Sequence, residues 1–121
     1  MKPLRVMIVE DDAIIAMLLE DILQGMGHTV CATVATESDA VAASERCELD
    51  LMIVDATLRS GTGAGAVATI LSKGFLRCVQ MSGSEHGVGT LARDAVFVQK
   101  PFTDAELARA IDDAMATGAA A

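Results

Sequence analysis

Leu51-Met52-Ile53-Val54-Asp55 is the stretch on which the reading of this chain turns. Apolar residues follow one another without polar alternation, as in a strand covered on both faces, the usual state of central strands in parallel sheets. Four further runs read as strands: Arg5–Val9, rich in β-branched residues, then Thr29–Val34, Leu76–Met81 and Ala95–Gln99. Helical patterns alternate with them. From Ala13 to Met26 the residues Ile14, Ile15, Leu18, Leu19, Ile22 and Met26 recur at three-to-four spacing, and Gly25 and Gly27 punctuate the end. Asp39–Arg46 forms a short Ala-rich helix, and Ala64–Lys73 another that Gly74 stops. Thr103-x-x-Glu106 is a capping box opening a last helix that carries Leu107, Ile111 and Met115. Such alternation, with no linker and no repeat, predicts one doubly wound α/β domain over residues 1–121. Its five-stranded parallel sheet would be joined by right-handed crossovers. The core is expected over about residues 3–117, with Gly118–Ala121 a frayed tail.

Bulk properties narrow the function. A chain of 121 residues with 52% hydrophobic and 21% charged residues is globular rather than disordered. Its formal charge of −8 argues against nucleic acid or anionic membrane as partner, since both select for a basic face. No apolar run approaches the roughly 20 residues that span a bilayer. Met1-Lys2-Pro3 enters the first strand directly, without the n- and h-regions of a secretory signal, so a cytoplasmic location is expected. Cys31, Cys47 and Cys78 form no CxxC pair and are odd in number, which makes them small buried hydrophobes. His28 with Cys31 has a ligand-like gap but no second pair to complete a zinc site.

The charged residues that matter sit at strand ends. Glu10 and Asp11 follow the first strand, Asp55 the third, and Lys100 the fifth, just before Pro101. If these strands are neighbours, the carboxylates converge at the carboxyl edge of the sheet with an ammonium opposite, where open α/β sheets carry their chemistry. Gathered carboxylates raise one another's pKa, so the cluster calls for a divalent cation. Asp12 reads as the N-cap of the first helix rather than a ligand. Periodicity leaves the strand order open, but 2-1-3-4-5 would set the first and third strands side by side.

Val9-Glu10-Asp11-Asp12, Val54-Asp55, Ser82-Gly83 and Lys100-Pro101-Phe102, in that order and each at a strand end, resemble the receiver domain of bacterial two-component response regulators. The likeness runs from about Pro3 to Met115. It implies the flavodoxin-like order 2-1-3-4-5, and Asp55 as acceptor of a phosphoryl group from a histidine kinase or histidine phosphotransfer protein. Asp11 would bind Mg²⁺ (or Mn²⁺) directly and Glu10 through water, with Asp55 and the backbone carbonyl of Thr57 completing the protein's share. Lys100, through a cis Lys-Pro bond, would face the phosphoryl group, and Ser82 would donate its hydroxyl to a phosphoryl oxygen. Phe97 stands where the family keeps its switch aromatic, moving together with Ser82. Such a protein is not a turnover enzyme; it catalyses only its own phosphorylation and dephosphorylation. With nothing after the fifth helix, a stand-alone receiver acting on an unidentified partner protein is expected, or a phosphate shuttle in a relay.

Departures from the family pattern fall in two places. Arg59 replaces a usual Pro four residues after Asp55, and Thr57 stands where Asn is common. Gly83–Asp94 is short and rich in Gly and Ser, which predicts a stunted fourth helix on the output face. Rival classes fare worse. A haloacid-dehalogenase-type phosphatase needs a second Asp where Thr57 stands. Gly61-Thr62-Gly63-Ala64-Gly65 is neither G-x-G-x-x-G nor a P-loop, and flavin lacks aromatic partners. A phosphorylation-independent pseudo-receiver, acting only as a docking module, is opposed by the presence of all five expected pocket residues.

Overall fold

The computed structural model describes residues 3–55, 70, 77–82 and 96–118. Five strands, β1 (Arg5–Val9), β2 (Thr29–Val34), β3 (Leu51–Asp55), β4 (Arg77–Ser82) and β5 (Val96–Gln99), form one parallel sheet in the order β2-β1-β3-β4-β5. Three helices are described in full: α1 (Ala13–Gly25), α2 (Glu37–Arg46) and α3 (Asp104–Gly118). Every residue of β3 is buried, as its unbroken apolar run requires.

Side-chain alternation divides the core into two layers. Val6, Ile8, Leu51, Ile53, Val79, Met81 and Val98 pack against Leu19 and Leu23 of α1 and Leu107 and Ile111 of α3. Met7, Val9, Met52, Val54 and Cys78 pack on the opposite face against Ala40 and Ala43 of α2 and against Ile70, itself helical. Helices therefore cover both faces, which makes the sheet doubly wound.

Local chemistry fixes the helix ends. Asp12 is extended, and its side chain accepts hydrogen bonds from the Ile14 and Ile15 N–H groups at 2.9 and 3.2 Å. At the other end of α1, the Gly27 N–H reaches Gln24 O and the His28 N–H reaches Leu23 O, a Schellman motif with Gly27 at φ +94°. Gly25 is thus the last helical residue, and Gly27, past the Met26 cap, supplies the positive φ that closes the motif. The Thr103 and Glu106 side chains exchange bonds with each other's N–H groups at 3.1 and 2.9 Å, as the capping box predicts.

Several boundaries and burials differ from expectation. α2 begins at Glu37, because Thr36 caps it by accepting the Asp39 N–H. α3 runs on to Gly118, into the tail expected to fray. On α1 the buried residues are Ala16, Leu19 and Leu23, while Ile14 and Leu18, which belong to the same three-to-four spacing, are 79% and 54% exposed. Of the cysteines only Cys78 is buried, and burial pushes its thiol up to about 12. Cys31 and Cys47 are half-buried. The helix expected at Ala64–Lys73, apart from Ile70, and the stretch Gly83–Asp94 lie outside the described residues.

Candidate functional site

Alternation along the strands sets Glu10, Asp55 and Lys100 on the same side of the sheet, that of α1 and α3, at its carboxyl edge. Val9 is in register with Val54, so the residues that follow them, Glu10 and Asp55, emerge side by side. The Glu10 N–H continues the ladder by bonding Val34 O at 2.9 Å, which holds this residue as firmly as a strand residue. Asp55 is level with Met81, and Met81 with Val98. Lys100 therefore starts two residues beyond that level and two strands away, and its long side chain leans back to the acids.

The contact is direct. Lys100 Nζ donates to Glu10 Oε1 at 2.8 Å and to Asp55 Oδ2 at 3.2 Å. Glu10 Oε2 accepts the Asp12 N–H at 3.1 Å, so the loop opening α1 also orients this carboxylate. Both acids are buried and Lys100 is half-buried. Desolvation, reinforced by the neighbouring Asp55, pushes the Glu10 carboxyl up to about 7 against the pull of Lys100. For Lys100 burial acts downward, but its bonds to Glu10 and the charges of Asp55 and Glu10 prevail and hold the ammonium above its ordinary value. The strength of the Glu10–Lys100 pair is not visible in the sequence, where Glu10 reads only as a ligand at one remove.

Glu10, Asp11 and Asp55 each offer a carboxylate oxygen, and these oxygens lie within 4.8 Å of one another. This is a hard, all-oxygen and sparse donor set, which fits Mg²⁺ because that ion keeps several waters and takes few protein ligands. The raised pKa of Glu10 points the same way, since crowded, desolvated carboxylates are relieved by a cation. Asp12 stays outside the cluster as a helix cap, as its sequence position predicts.

Ser82 is the last residue of β4, in register with Gln99, and so belongs to the same edge. Phe97, half-buried in β5, is in register with Gln80. The Lys100–Pro101 bond is cis. Thr57, Arg59 and the run Gly61–Gly65 lie outside the described residues. Beside the cluster, Asp11, Asp12, Ala13 and Ile14 line a shallow depression, and Ile14, Met17 and Leu18 form an exposed apolar patch on α1.

A parallel 2-1-3-4-5 sheet with an acidic cluster and a lysine at its carboxyl edge is the architecture of a receiver, and this chain belongs to that family. The model of the response regulator receiver domain matches residues 6–112. Among individual proteins, the chain is 32% identical to the transcriptional regulatory protein PdtaR of Mycobacterium tuberculosis over 114 residues, covering 91% of this chain and 56% of that one. It is 30% identical to the phyllosphere-induced regulator PhyR of Methylorubrum extorquens over 115 residues, covering 92% and 43%. The solution structure of the PhyR receiver domain of Erythrobacter litoralis superposes with a TM-score of 0.84 at 27% identity, over 93% of this chain and 90% of that domain. The chain spans about half the length of the curated relatives it matches. No described helix is long and apolar enough to cross a membrane.

Proposed function

We propose that this receiver is a phosphoacceptor in a two-component phosphorelay, with Asp55 as the acceptor. The observation that carries the reading is the ammonium of Lys100 bonded to both Glu10 and Asp55 inside a cluster of three carboxylates. A carboxylate is a weak nucleophile toward phosphorus, so the site must align the group and neutralise its charge. The donor is a phosphorylated histidine of a kinase or phosphotransfer protein. An Asp55 oxygen forms the new P–O bond as the P–N bond breaks, and the bonding pair stays with the departing imidazole nitrogen. Mg²⁺, held by Asp11 and Asp55, with Glu10 through water and the Thr57 carbonyl, would supply positive charge to the phosphoryl oxygens. Lys100 then exchanges its bond to Asp55 for one to the phosphoryl group while Glu10 keeps hold of the ammonium. Ser82 donates its hydroxyl to another phosphoryl oxygen.

The exposed patch Ile14, Met17 and Leu18 lies next to the pocket, where an incoming protein donor would need apolar surface to rest on. The reaction is stoichiometric; the chain catalyses only its own phosphorylation and dephosphorylation. The product, a covalent dianion, need only shift a two-state balance by a few kcal/mol to change affinity for an output protein.

Acetyl phosphate with Mg²⁺ tests the assignment. One acid-stable, base-labile phosphoryl group per chain is expected by intact-mass measurement, and none in Asp55→Asn. An Asp55→Asn variant that still gains the group would sink it.

A further inference from the structure

Among the described residues, Gln80 stands inside an otherwise apolar layer. It is 1% exposed, it shares its sheet face with Cys78 and Val54, and its side-chain carbonyl oxygen has no hydrogen-bond partner among the described residues. Buried polar atoms are nearly always paired, and one left unpaired destabilises the state that contains it. Its neighbour in register on β5 is Phe97, and β5 is an edge strand. Phe97 therefore lies between this orphaned carbonyl and the outer side of the sheet. The ring is half-buried and has no hydroxyl, so neither full packing nor a hydrogen bond fixes its position.

We propose that Gln80 is a third member of the switch, a positioning residue that sets the resting balance of Phe97. The unmet carbonyl penalises the arrangement seen here. An arrangement in which β4 and β5 repack, the ring turns and a donor reaches the oxygen is correspondingly favoured. Gln80 thus keeps the unphosphorylated domain close to its switching point, in place of the hydroxyl that a tyrosine at position 97 would bring. This inference rests on the phosphoacceptor reading above.

Gln80→Met keeps the volume and removes the polar atoms. With beryllofluoride and Mg²⁺ as the phosphoryl mimic, titrated calorimetrically into the full chain, the variant is expected to bind about tenfold more weakly, because the resting state it must leave is no longer penalised. Its thermal midpoint should rise more without the mimic than with it. The chain has only three Phe residues, so fluorophenylalanine labelling gives a small set of ¹⁹F resonances. The Phe97 signal should move toward the mimic-bound position in wild type at lower mimic concentration than in Gln80→Met. In a Phe97→Ala background the Gln80→Met effect on binding should vanish.

Equal mimic affinity in wild type and Gln80→Met, with the same rise in thermal midpoint for both states, would reduce Gln80 to a packing residue and overturn the proposal. An undiminished effect in the Phe97→Ala background would overturn it as well. Failure of the wild type itself to bind the mimic through Asp55 would instead bring down the phosphoacceptor reading, and this inference with it.

Discussion

At the scale of single residues, Lys100 and His28 show how burial gives a titratable group its role. Lys100 divides its hydrogen bonds between Glu10 and Asp55, and its charge partly offsets the repulsion between two buried acids. In the phosphoacceptor reading proposed above the nucleophile is Asp55 and not Lys100. Lys100→Ala should therefore still take one phosphoryl group per chain from acetyl phosphate, more slowly by about a hundred- to a thousandfold, the usual scale for losing one charge-stabilising donor. The phosphorylation-dependent movement of the Phe97 ¹⁹F signal should be lost; a full movement in the phosphorylated variant would remove Lys100 from the coupling. His28 lies at the far end of the sheet. Its Nδ1 accepts the Leu4 N–H at 3.1 Å, so the ring hydrogen sits on Nε2, which is buried with no partner among the described residues. A second proton would have to go on Nδ1 and break the Leu4 bond. Desolvation lowers the His28 pKa below its ordinary 6.5, with Asp112 pulling upward and the amino-terminal charge downward. Because the unfolded chain binds this proton more readily, the contribution to stability is complete above 6.5 and is lost as pH falls toward the lower folded value. Asn at position 28 keeps an acceptor near Leu4 but cannot titrate. Urea melts of wild type and His28→Asn should therefore diverge below pH 6.5, with the wild type losing more stability; parallel pH profiles would refute the assignment.

At the scale of elements, the start of α1 separates two neighbouring aspartates with different duties. Asp12 satisfies the orphan N–H groups of the first turn, and Asp11 joins the carboxylate cluster. Asp12→Ala should cost about 1 kcal/mol in denaturant melts yet leave Mg²⁺ affinity within about twofold. Asp11→Ala should weaken Mg²⁺ by more than about tenfold with little loss of stability. A reversal of this pattern would mean that cap and ligand have been exchanged. Such caps were readable because they are short-range: Asp12 before an apolar run, Thr103 three residues before Glu106, Gly27 after Met26. The strand runs were readable because burial on both faces leaves no polar residue in β3. Strand order was not legible in the pattern: the full order came with the likeness to the receiver family, and the shared pocket of Glu10, Asp11 and Asp55 gave a chemical reason only for setting β1 beside β3. The helix faces were less legible. Ile14 and Leu18 fit the apolar period, yet they emerge into solvent, because α1 meets the sheet along Leu19 and Leu23 and not along its whole apolar arc. Gln80 does not stand out in the sequence, where Leu76–Met81 reads only as a strand; its depth and its neighbour Phe97 are what give it a meaning. The Glu10–Lys100 bond was hidden for another reason: sequence places side chains at an edge without saying which pairs close.

At the scale of the whole molecule, folding concentrates charge that the unfolded chain disperses. The protein carries 17 acidic against 9 basic residues, and the native sheet brings three of the acids within 4.8 Å of one another. Glu10 and Asp55 are held at the ends of the central strands β1 and β3, whose side chains fill both core layers, so the cluster cannot relax without loosening the core. Its electrostatic cost is therefore borne by the stability of the entire domain. A divalent cation that binds the gathered carboxylates, and not the unfolded chain, must return part of that cost through linkage. At about 100 times the dissociation constant the gain is about 2.7 kcal/mol. For a domain of this length that corresponds to a rise of roughly 10 °C in thermal midpoint. Mg²⁺ should produce it, whereas NaCl at matched ionic strength should not, because screening acts weakly on a buried cluster. Asp11→Asn should cut the Mg²⁺ increment to about half or less while remaining folded. Scanning calorimetry of both proteins across a Mg²⁺ series makes the comparison, and an increment that is undiminished in Asp11→Asn, or that NaCl reproduces, would place the cation somewhere other than this cluster.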